Sequence, residues 1–456
     1  MMSQYKIYKH CPVALQNFLC SLKGLQLEKQ RYGGEYEEIF DSLLDSDNWS
    51  SEKIKSYKEE HLFKIIEYAF RNCSFYRKRY SLLGLSPSSF TCLEDLKKFP
   101  ILTKEDVREN WKEIIADGFP SRELIGYHTS GSTGKALDFY WTKHDLRFYW
   151  AVVWRGRHRF GINKGDRHIN FTGKIVVPLE QKEPPYWRYN KPMNQYMMNM
   201  QHITDSKVED IVDFINRENC KFFVGYPSIM NTLAMLIDEK GLVVENPPKY
   251  IFSSAEKMYD NQRIIIEKVF PGVEIVEHYG FSENAASASK CPDGLYHEDF
   301  ELGHLELENK EGNTGRMLAT GFQNYGMPFI RYQIGDTGTF VDDCDCGLNS
   351  QAISDIEGRN GDYVLTPEGA KIMRFGYIFK CTTTIKECQV VQRKLGEMII
   401  RIVPRRDYKK ETEQLLISEV RDWISPTIIV KFEYVDSIER TKAGKFKAVV
   451  SELDKK

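Results

Sequence analysis

Residues 205–279 constrain the fold more than any other part of the chain. They open with "DSKVEDIVDFINREN", which sets Val208, Ile211, Val212 and Ile215 on one helical face behind a capping Asp–Ser pair. "KFFVG" then reads as a short buried strand and "YPSIMNTLAMLIDEKG" as a helix ending at Gly241. Strand "KYIFSSAE", helix "DNQRIIIEKVF", the breaker Pro271-Gly272 and strand "VEIVEHYG" complete the run. Strands and helices alternating across short connections imply a parallel sheet built by crossovers. Such sheets bind ligands outside the carboxyl ends of their strands, which here carry Ser253, Ser254, Ala255, Glu256 and His278, Tyr279, Gly280.

Elsewhere the pattern changes. Over 301–341, "HLELE", "GRMLATG", "PFIRYQIGD" and "GTFVD" alternate like antiparallel strands. After "EGRNGD" (357–362) come strand "MIIRIVP", a helix over 407–423, strand "TIIVKFEYV" and the basic tail "RTKAGKFK", an α+β unit of about 95 residues. Phe63, Ile66 and Phe70 predict an amphipathic helix over 59–80, preceded by an irregular, partly helical leader over 1–58. With 456 residues the chain exceeds one ordinary core. Its 63 basic and 65 acidic residues nearly cancel, so no general electrostatic case exists for nucleic acid or an anionic membrane. No apolar run approaches a membrane span or a signal-type segment, and ten cysteines in so long a chain predict free thiols in a reducing cytoplasm.

"YHTSGSTGKALDFYW" (127–141) is the most conspicuous polar loop. It is not a Walker A motif, because Thr129 stands where the first glycine belongs and Ala136 where Ser or Thr should follow the lysine. "ALDFYWT" then alternates like a strand, so no helix dipole is available to an anion. Two readings remain: a strand–loop–strand that wraps an anion with its N–H groups, hydroxyls and lysine, or a polar surface turn.

Five stretches bear on that choice: "TSGSTGK" (129–135), "YGFSE" (279–283), "RYQIGD" (331–336), "GRNGD" (358–362) and "AGK" (443–445). In order and spacing they resemble the adenylate-forming superfamily of acyl-CoA synthetases and adenylation domains, above all its phenylacetate–CoA ligase branch and the CapK-like relatives of capsular polysaccharide biosynthesis. The likeness covers nearly the whole chain from about residue 60.

The resemblance implies an α/β protein. A large N-terminal adenylating domain over 1–358 would hold parallel-sheet βαβ subdomains and a small β-barrel-like subdomain. A small mobile α+β domain over 359–456 would follow, hinged near Asp362. It also implies an ATP-dependent, AMP-forming acid–thiol or acid–amine ligase using Mg²⁺. Thr129, Ser130, Gly131, Ser132, Thr133, Gly134 and Lys135 would close over the β- and γ-phosphates. Tyr279, between His278 and Gly280, would stack on adenine, with Ser254, Ala255 and Glu256 along its edge. Glu283 would hold Mg²⁺, Asp336 the ribose hydroxyls, Arg359 ribose or phosphate, and Lys445 would bridge the substrate carboxylate and the α-phosphate. Taken singly each has a plainer reading: Tyr279 as core, Asp336 as a turn residue, Glu283 as a helix-start acid, Lys445 as part of a solvated tail. The expected partners are a small carboxylic acid and CoA or an amine or sugar acceptor. The alternatives are a non-catalytic nucleotide-binding scaffold and a kinase releasing ADP.

Cys291 and His297 in "CPDGLYH", with Cys344 and Cys346 in "CDCG", supply a ligand set for tetrahedral zinc. The C-x-C spacing is tighter than the common C-x₂-C, and two unrelated pairs of free thiols fit the spacing as well. The resemblance favours a structural zinc. Downstream of Asp362 the chain departs from CoA ligases, because Lys371 and Gly376 stand displaced from the usual basic, glycine-containing segment. That opens the acceptor to amines or amino sugars. Trp187, Tyr189 and Tyr196, within the Met-rich segment 173–200, read either as an apolar acid pocket or as a packed loop. Arg155, Arg157, His158 and Arg159 read as an anionic-acceptor patch or a solvated helix face.

Overall fold

The structure, a computed structural model, describes residues 7–128, 137–172, 174–358, 364–367, 371–372, 384–440 and 446–453. The chain forms two compact units, each woven from separate stretches. One takes Met1–Gly24, Gly165–Glu277 and Asn360–Lys456; the other takes Leu25–Lys164 and His278–Arg359.

The first unit contains the expected crossover sheet. Strands Gln195–Asn199, His168–Thr172, Phe222–Gly225 and Tyr250–Ser254 pair in parallel in that order, and Arg188–Asn190 adds an antiparallel edge. Helices Val208–Glu218, Pro227–Glu239 and Asp260–Val269 bury Ile211, Phe214, Leu233 and Ile266 with Phe223 and Ile251. The predicted Asp–Ser cap is not formed: helix Val208–Glu218 starts behind Lys207 with no side-chain cap. Pro227–Glu239 ends as read, ahead of Gly241, whose φ of 62° is a left-handed conformation that glycine adopts without steric cost.

The same unit holds a second, smaller sheet in the order Ile429–Tyr434, Glu397–Pro404, Ile385–Gln392, Val449–Ser451. Helix Glu411–Trp423 completes it, starting four residues later than its sequence suggested. Its separate core includes Val390, Ile400, Leu416 and Val420.

In the second unit, strands Leu124–His128 and Asp138–Thr142 pair antiparallel, with His128 opposite Asp138. The glycine-rich loop therefore lies between two paired strands, as the alternation of "ALDFYWT" predicted. Helix Lys143–His158 follows directly. An antiparallel sheet runs in the order Gly303–Glu311, Thr314–Gly321, Tyr332–Val341, Ala352–Glu357, Tyr296–Glu298, Ser287–Lys290, and then the His278–Gly280 end of strand Glu274–Gly280. Its core joins Ile66, Phe99 and Phe139 to Met317, Ile330 and Tyr332.

The leader differs most from its sequence reading. It is mainly helical, over Val13–Tyr32 and Tyr36–Ser46, and the helix predicted over 59–80 begins at Ser51, runs to Asn72 and restarts over Ser74–Leu82 after the extended Cys73. Helix Val13–Tyr32 leaves Leu15, Phe18, Leu22 and Leu25 exposed and buries Gln16 and Gly24, so its apolar residues do not mark its packed face. A Cβ on Gly24 would fall 1.9 Å from Asn190 Oδ1, which is why glycine stands there. Among the described residues no helix is long and apolar enough to cross a membrane.

Candidate active site

Strand Glu274–Gly280 delivers His278, Tyr279 and Gly280 to the second unit, and the following turn carries Glu283. The Tyr279 hydroxyl donates to Asp336 Oδ2 at 2.7 Å, and the Tyr332 hydroxyl donates to Glu283 Oε1 at 2.5 Å. Asp336 and Tyr332 share strand Tyr332–Val341, so one strand orients both motif residues of the preceding turn. Glu283 is 2% exposed, and its Oε2 has no hydrogen-bond partner. A buried carboxylate oxygen without a donor costs about 1–3 kcal/mol or more. Mg²⁺, a hard cation that takes oxygen ligands, fits that atom.

The hairpin joins this turn directly. Trp141 Nε1, on the strand leaving the glycine-rich loop, donates to the Ser282 carbonyl at 2.9 Å. Residues 129–135 themselves lie outside the described residues. His278 holds Nδ1 3.1 Å from Ser289 Oγ, and burial pushes its imidazole pKa down, so the ring is neutral at pH 7.

Asp145 belongs to the same cluster and was not found from the sequence. Its N–H donates to the N-cap hydroxyl of Thr142, and its Oδ1 accepts from Asn284 Nδ2 at 2.9 Å. Asn284, next to Glu283, takes a left-handed φ of 55° to make that contact. Asp145 Oδ2 has no partner, and burial pushes the carboxyl up to about 8 against the opposing Asn284 bond. The only sequence signal, a Thr followed three residues later by Asp, identifies a helix start and nothing more.

In the first unit, Ser254, Ala255 and Glu256 leave the carboxyl end of strand Tyr250–Ser254, where the topology placed them. Ala255 adopts φ 70°, a strained conformation for a residue with a Cβ. Both Glu256 oxygens are engaged: Oε2 accepts from Ser228 N at 3.1 Å and Oε1 from Phe446 N at 2.7 Å. Arg359, Asp362 and Lys445 lie outside the described residues, as do the side chain of Lys371 and all of Gly376.

The basic run over 155–159 matches neither of its two sequence readings. Arg155 is 1% exposed and donates to Asp47 at 2.9 Å, Asp299 at 2.9 Å, and Glu301 at 3.0 and 3.2 Å. Arg159 also pairs with Asp47, and the buried Arg157 lies over the Trp154 ring. The arginines turn inward because helix Lys143–His158 packs beside these carboxylates. In the segment 173–200, Trp187 stacks on Phe214 at 3.7 Å, while the Tyr196 hydroxyl bonds to Glu218. Those aromatic groups are occupied by packing.

Cys291, His297, Cys344 and Cys346 converge, with their ligand atoms all within 4.8 Å of one another. Cys291 Sγ lies 3.7 Å from Cys344 Sγ, and Cys346 Sγ lies 3.3 Å from His297 Nε2. Tetrahedral zinc with Zn–S near 2.3 Å sets its ligand sulfurs about 3.8 Å apart. His297 Nδ1 donates to the Ser350 carbonyl at 3.1 Å, which turns the Nε2 lone pair toward the thiols. The donor set and its spacing fit zinc.

Among solved structures, a 2-hydroxyisobutyryl-CoA ligase in the postadenylation state matches with a TM-score of 0.70 at 18% identity, over 89% of this chain and 91% of that one. The arrangement is the mixed α/β fold of adenylate-forming ligases. In sequence the chain is 27% identical to Protein CapK of Staphylococcus aureus over 98% of this chain and 99% of that protein. It is 24% identical to the phenylacetate-coenzyme A ligase of Pseudomonas putida, over 92% and 91%. A family profile described as the CapK C-terminal domain matches residues 364–452. This homology, together with the shared fold, supports the adenylate-forming superfamily of ATP-dependent, AMP-forming ligases. Within it, its relatives are CapK-like and phenylacetate–CoA ligase-like.

Proposed function

We propose that this ligase activates a carboxylic acid on ATP and hands the acyl group to a second nucleophile. The substrate carboxylate attacks the α-phosphorus and pyrophosphate leaves; the acceptor's nucleophile then attacks the acyl carbon of the adenylate, taking the acyl group as AMP departs. The first step brings two anions together, so cationic groups must neutralise the charge that develops. Lys135 and Lys445 are assigned that work. Glu283 would hold Mg²⁺, which supplies further neutralisation at the phosphates. Asp336, oriented by the Tyr279 hydroxyl, accepts the ribose hydroxyls, and the Tyr279 ring meets adenine.

The observation that carries this reading is Glu283, anchored through one oxygen by Tyr332 with the other buried and unpartnered. A helix-start acid or a solvated surface carboxylate has no reason to be held that way. The separate core around Val390 and Leu416 supports a small C-terminal domain over 359–456, turning near Asp362 to present Lys445. Cys291, His297, Cys344 and Cys346 would hold a structural zinc with no open position for chemistry. Free, buried Cys73, Cys220 and Cys388 support a reducing, cytoplasmic setting.

CoA is one acceptor, in keeping with the ligases named above. The CapK C-terminal match and the displaced Lys371 and Gly376 favour a second, an amine or amino sugar in surface-polysaccharide assembly. The test is a panel of acids with ATP and Mg²⁺, reading pyrophosphate and acyl-adenylate by mass, followed by CoA or candidate amines. ADP in place of AMP would overturn the ligase reading in favour of a kinase. Tight ATP binding with no pyrophosphate from any acid would favour a scaffold.

A further inference from the structure

The Glu256 carboxylate has two contacts that lie far apart in sequence. Oε2 accepts from the backbone N–H of Ser228, the second residue of helix Pro227–Glu239. Pro227 has no N–H, so Ser228 offers the first free donor at the positive end of that 13-residue helix. Oε1 accepts from the backbone N–H of Phe446 at 2.7 Å, and Phe446 directly follows Lys445. The left-handed Ala255 is the residue before it, so a strained turn aims this carboxylate.

The other side of segment 441–445 is tied as well. Ile438 N donates to Glu387 Oε2 at 3.1 Å, Arg440 Nη2 donates to Glu387 Oε1 at 2.5 Å, and the Arg440 guanidinium lies 4.8 Å from the Phe446 ring centroid. Glu387 sits on strand Ile385–Gln392 of the same small sheet, so its ties travel with that sheet. Glu256 instead follows strand Tyr250–Ser254 of the crossover sheet. Its bond to Phe446 therefore links the two sheets, as does Arg405, just after strand Glu397–Pro404, which donates to Asp238 of helix Pro227–Glu239 at 2.7 Å.

We propose that Glu256 is a positioning residue whose carboxylate fixes the chain immediately after Lys445, and so sets where that ammonium stands during adenylation. This rests on the reading of Lys445 given above. Two backbone donors require two acceptor oxygens. A glutamine supplies one and turns an NH₂ toward the other N–H, so the charge-assisted pair is lost.

Hydrogen exchange on the full-length protein tests the tether without any substrate. Glu256→Gln and Glu256→Ala should each speed exchange in a peptide covering 446–453 about tenfold, with Glu397–Pro404 unchanged. With ATP and any acid the wild type turns over, both variants should lower kcat for pyrophosphate release about tenfold and leave KM for ATP within about threefold. Added to Lys445→Ala, either should cost less than about twofold more, because both changes act through the same group. Unaltered exchange at 446–453 overturns the proposal. So does a raised KM for ATP with intact kcat, which would assign Glu256 to adenine. Faster exchange confined to Pro227–Glu239 with normal kcat would leave only a helix cap, and overturns it too. If the wild type releases no pyrophosphate with any acid, the ligase reading falls, and exchange alone then decides the tether.

Discussion

At Arg155, a single guanidinium serves Asp47, Asp299 and Glu301 from a position 1% exposed. Truncating it leaves Asp299 and Glu301, both almost fully buried, without this counter-charge, while Asp47 keeps Arg159. Arg155→Met should therefore cost about 3–5 kcal/mol in denaturant unfolding, despite fitting the volume. A loss under about 1 kcal/mol would mean that water replaces the guanidinium there. Lys445 makes the opposite kind of prediction. On the proposed mechanism, in which the lysine acts on charge that develops in the transition state, Lys445→Ala should nearly abolish acyl-adenylate formation and leave ATP binding by titration close to wild type. Normal adenylation by that variant would remove it from the mechanism. Neither Arg155 nor Asp145 was legible from the chain. The two Arg155 partners Asp299 and Glu301 lie 144 and 146 residues away, and Asn284 lies 139 residues from Asp145, so no local pattern encodes them.

At the scale of elements, the cysteine–histidine cluster joins the turn after strand Ser287–Lys290, strand Tyr296–Glu298, and the loop between Tyr332–Val341 and Ala352–Glu357. Zinc there would hold these three stretches together through four ligands. The purified protein should carry about one zinc per chain, and Cys344→Ser should lose it and melt about 5–10 °C lower. Chelation should reproduce the drop and added zinc should reverse it; a metal-free protein of unchanged melting temperature would contradict the assignment. Burial pushes the Cys346 thiol up to about 12, so loading near neutral pH must also release protons. The ligand set was readable because Cys and His carry their chemistry in the side chain, wherever the backbone goes. The crossover run over 205–279 was readable for a different reason, since its apolar residues face the core at regular spacing. Helix Val13–Tyr32 defeats that logic by exposing its leucines and burying Gln16, whose Oε1 accepts from Arg188 Nε at 2.6 Å. The two strands flanking 129–136 were legible, whereas their pairing and the Trp141 bond to Ser282 were not.

For the molecule as a whole, two buried acids pull the pH dependence of stability in opposite directions. Burial works to raise the Glu298 carboxyl, but the Lys58 ammonium and His304 hold it down at about 2. Its contribution is full above the unfolded value of about 4.3 and is lost as pH falls through about 2. Asp145, pushed up to about 8, keeps a proton that the unfolded chain releases near about 3.9. Its contribution is full below that unfolded value and is lost as pH rises through about 8. Melting temperature should therefore fall between about pH 4 and 8, and Asp145→Asn should flatten that limb while leaving the acid limb in place. An identical slope in the variant would show that Asp145 is ionised in the folded protein.

The weave of the two units also sets a schedule for synthesis. Leu25–Lys164 cannot finish its core until His278–Arg359 has left the ribosome, because that stretch supplies Glu298 to Lys58, Asp299 and Glu301 to Arg155, and Met317, Ile330 and Tyr332 to the core that holds Phe99. Translating the 146 residues between Arg155 and Glu301 takes roughly 7–30 s at roughly 5–20 residues per second. For that interval the nascent chain carries an arginine that lacks two of its three acids, and half of a hydrophobic core. Chaperone demand should accordingly peak in the middle of translation, and the protein should be more sensitive to pauses between codons 164 and 301 than to pauses near its end.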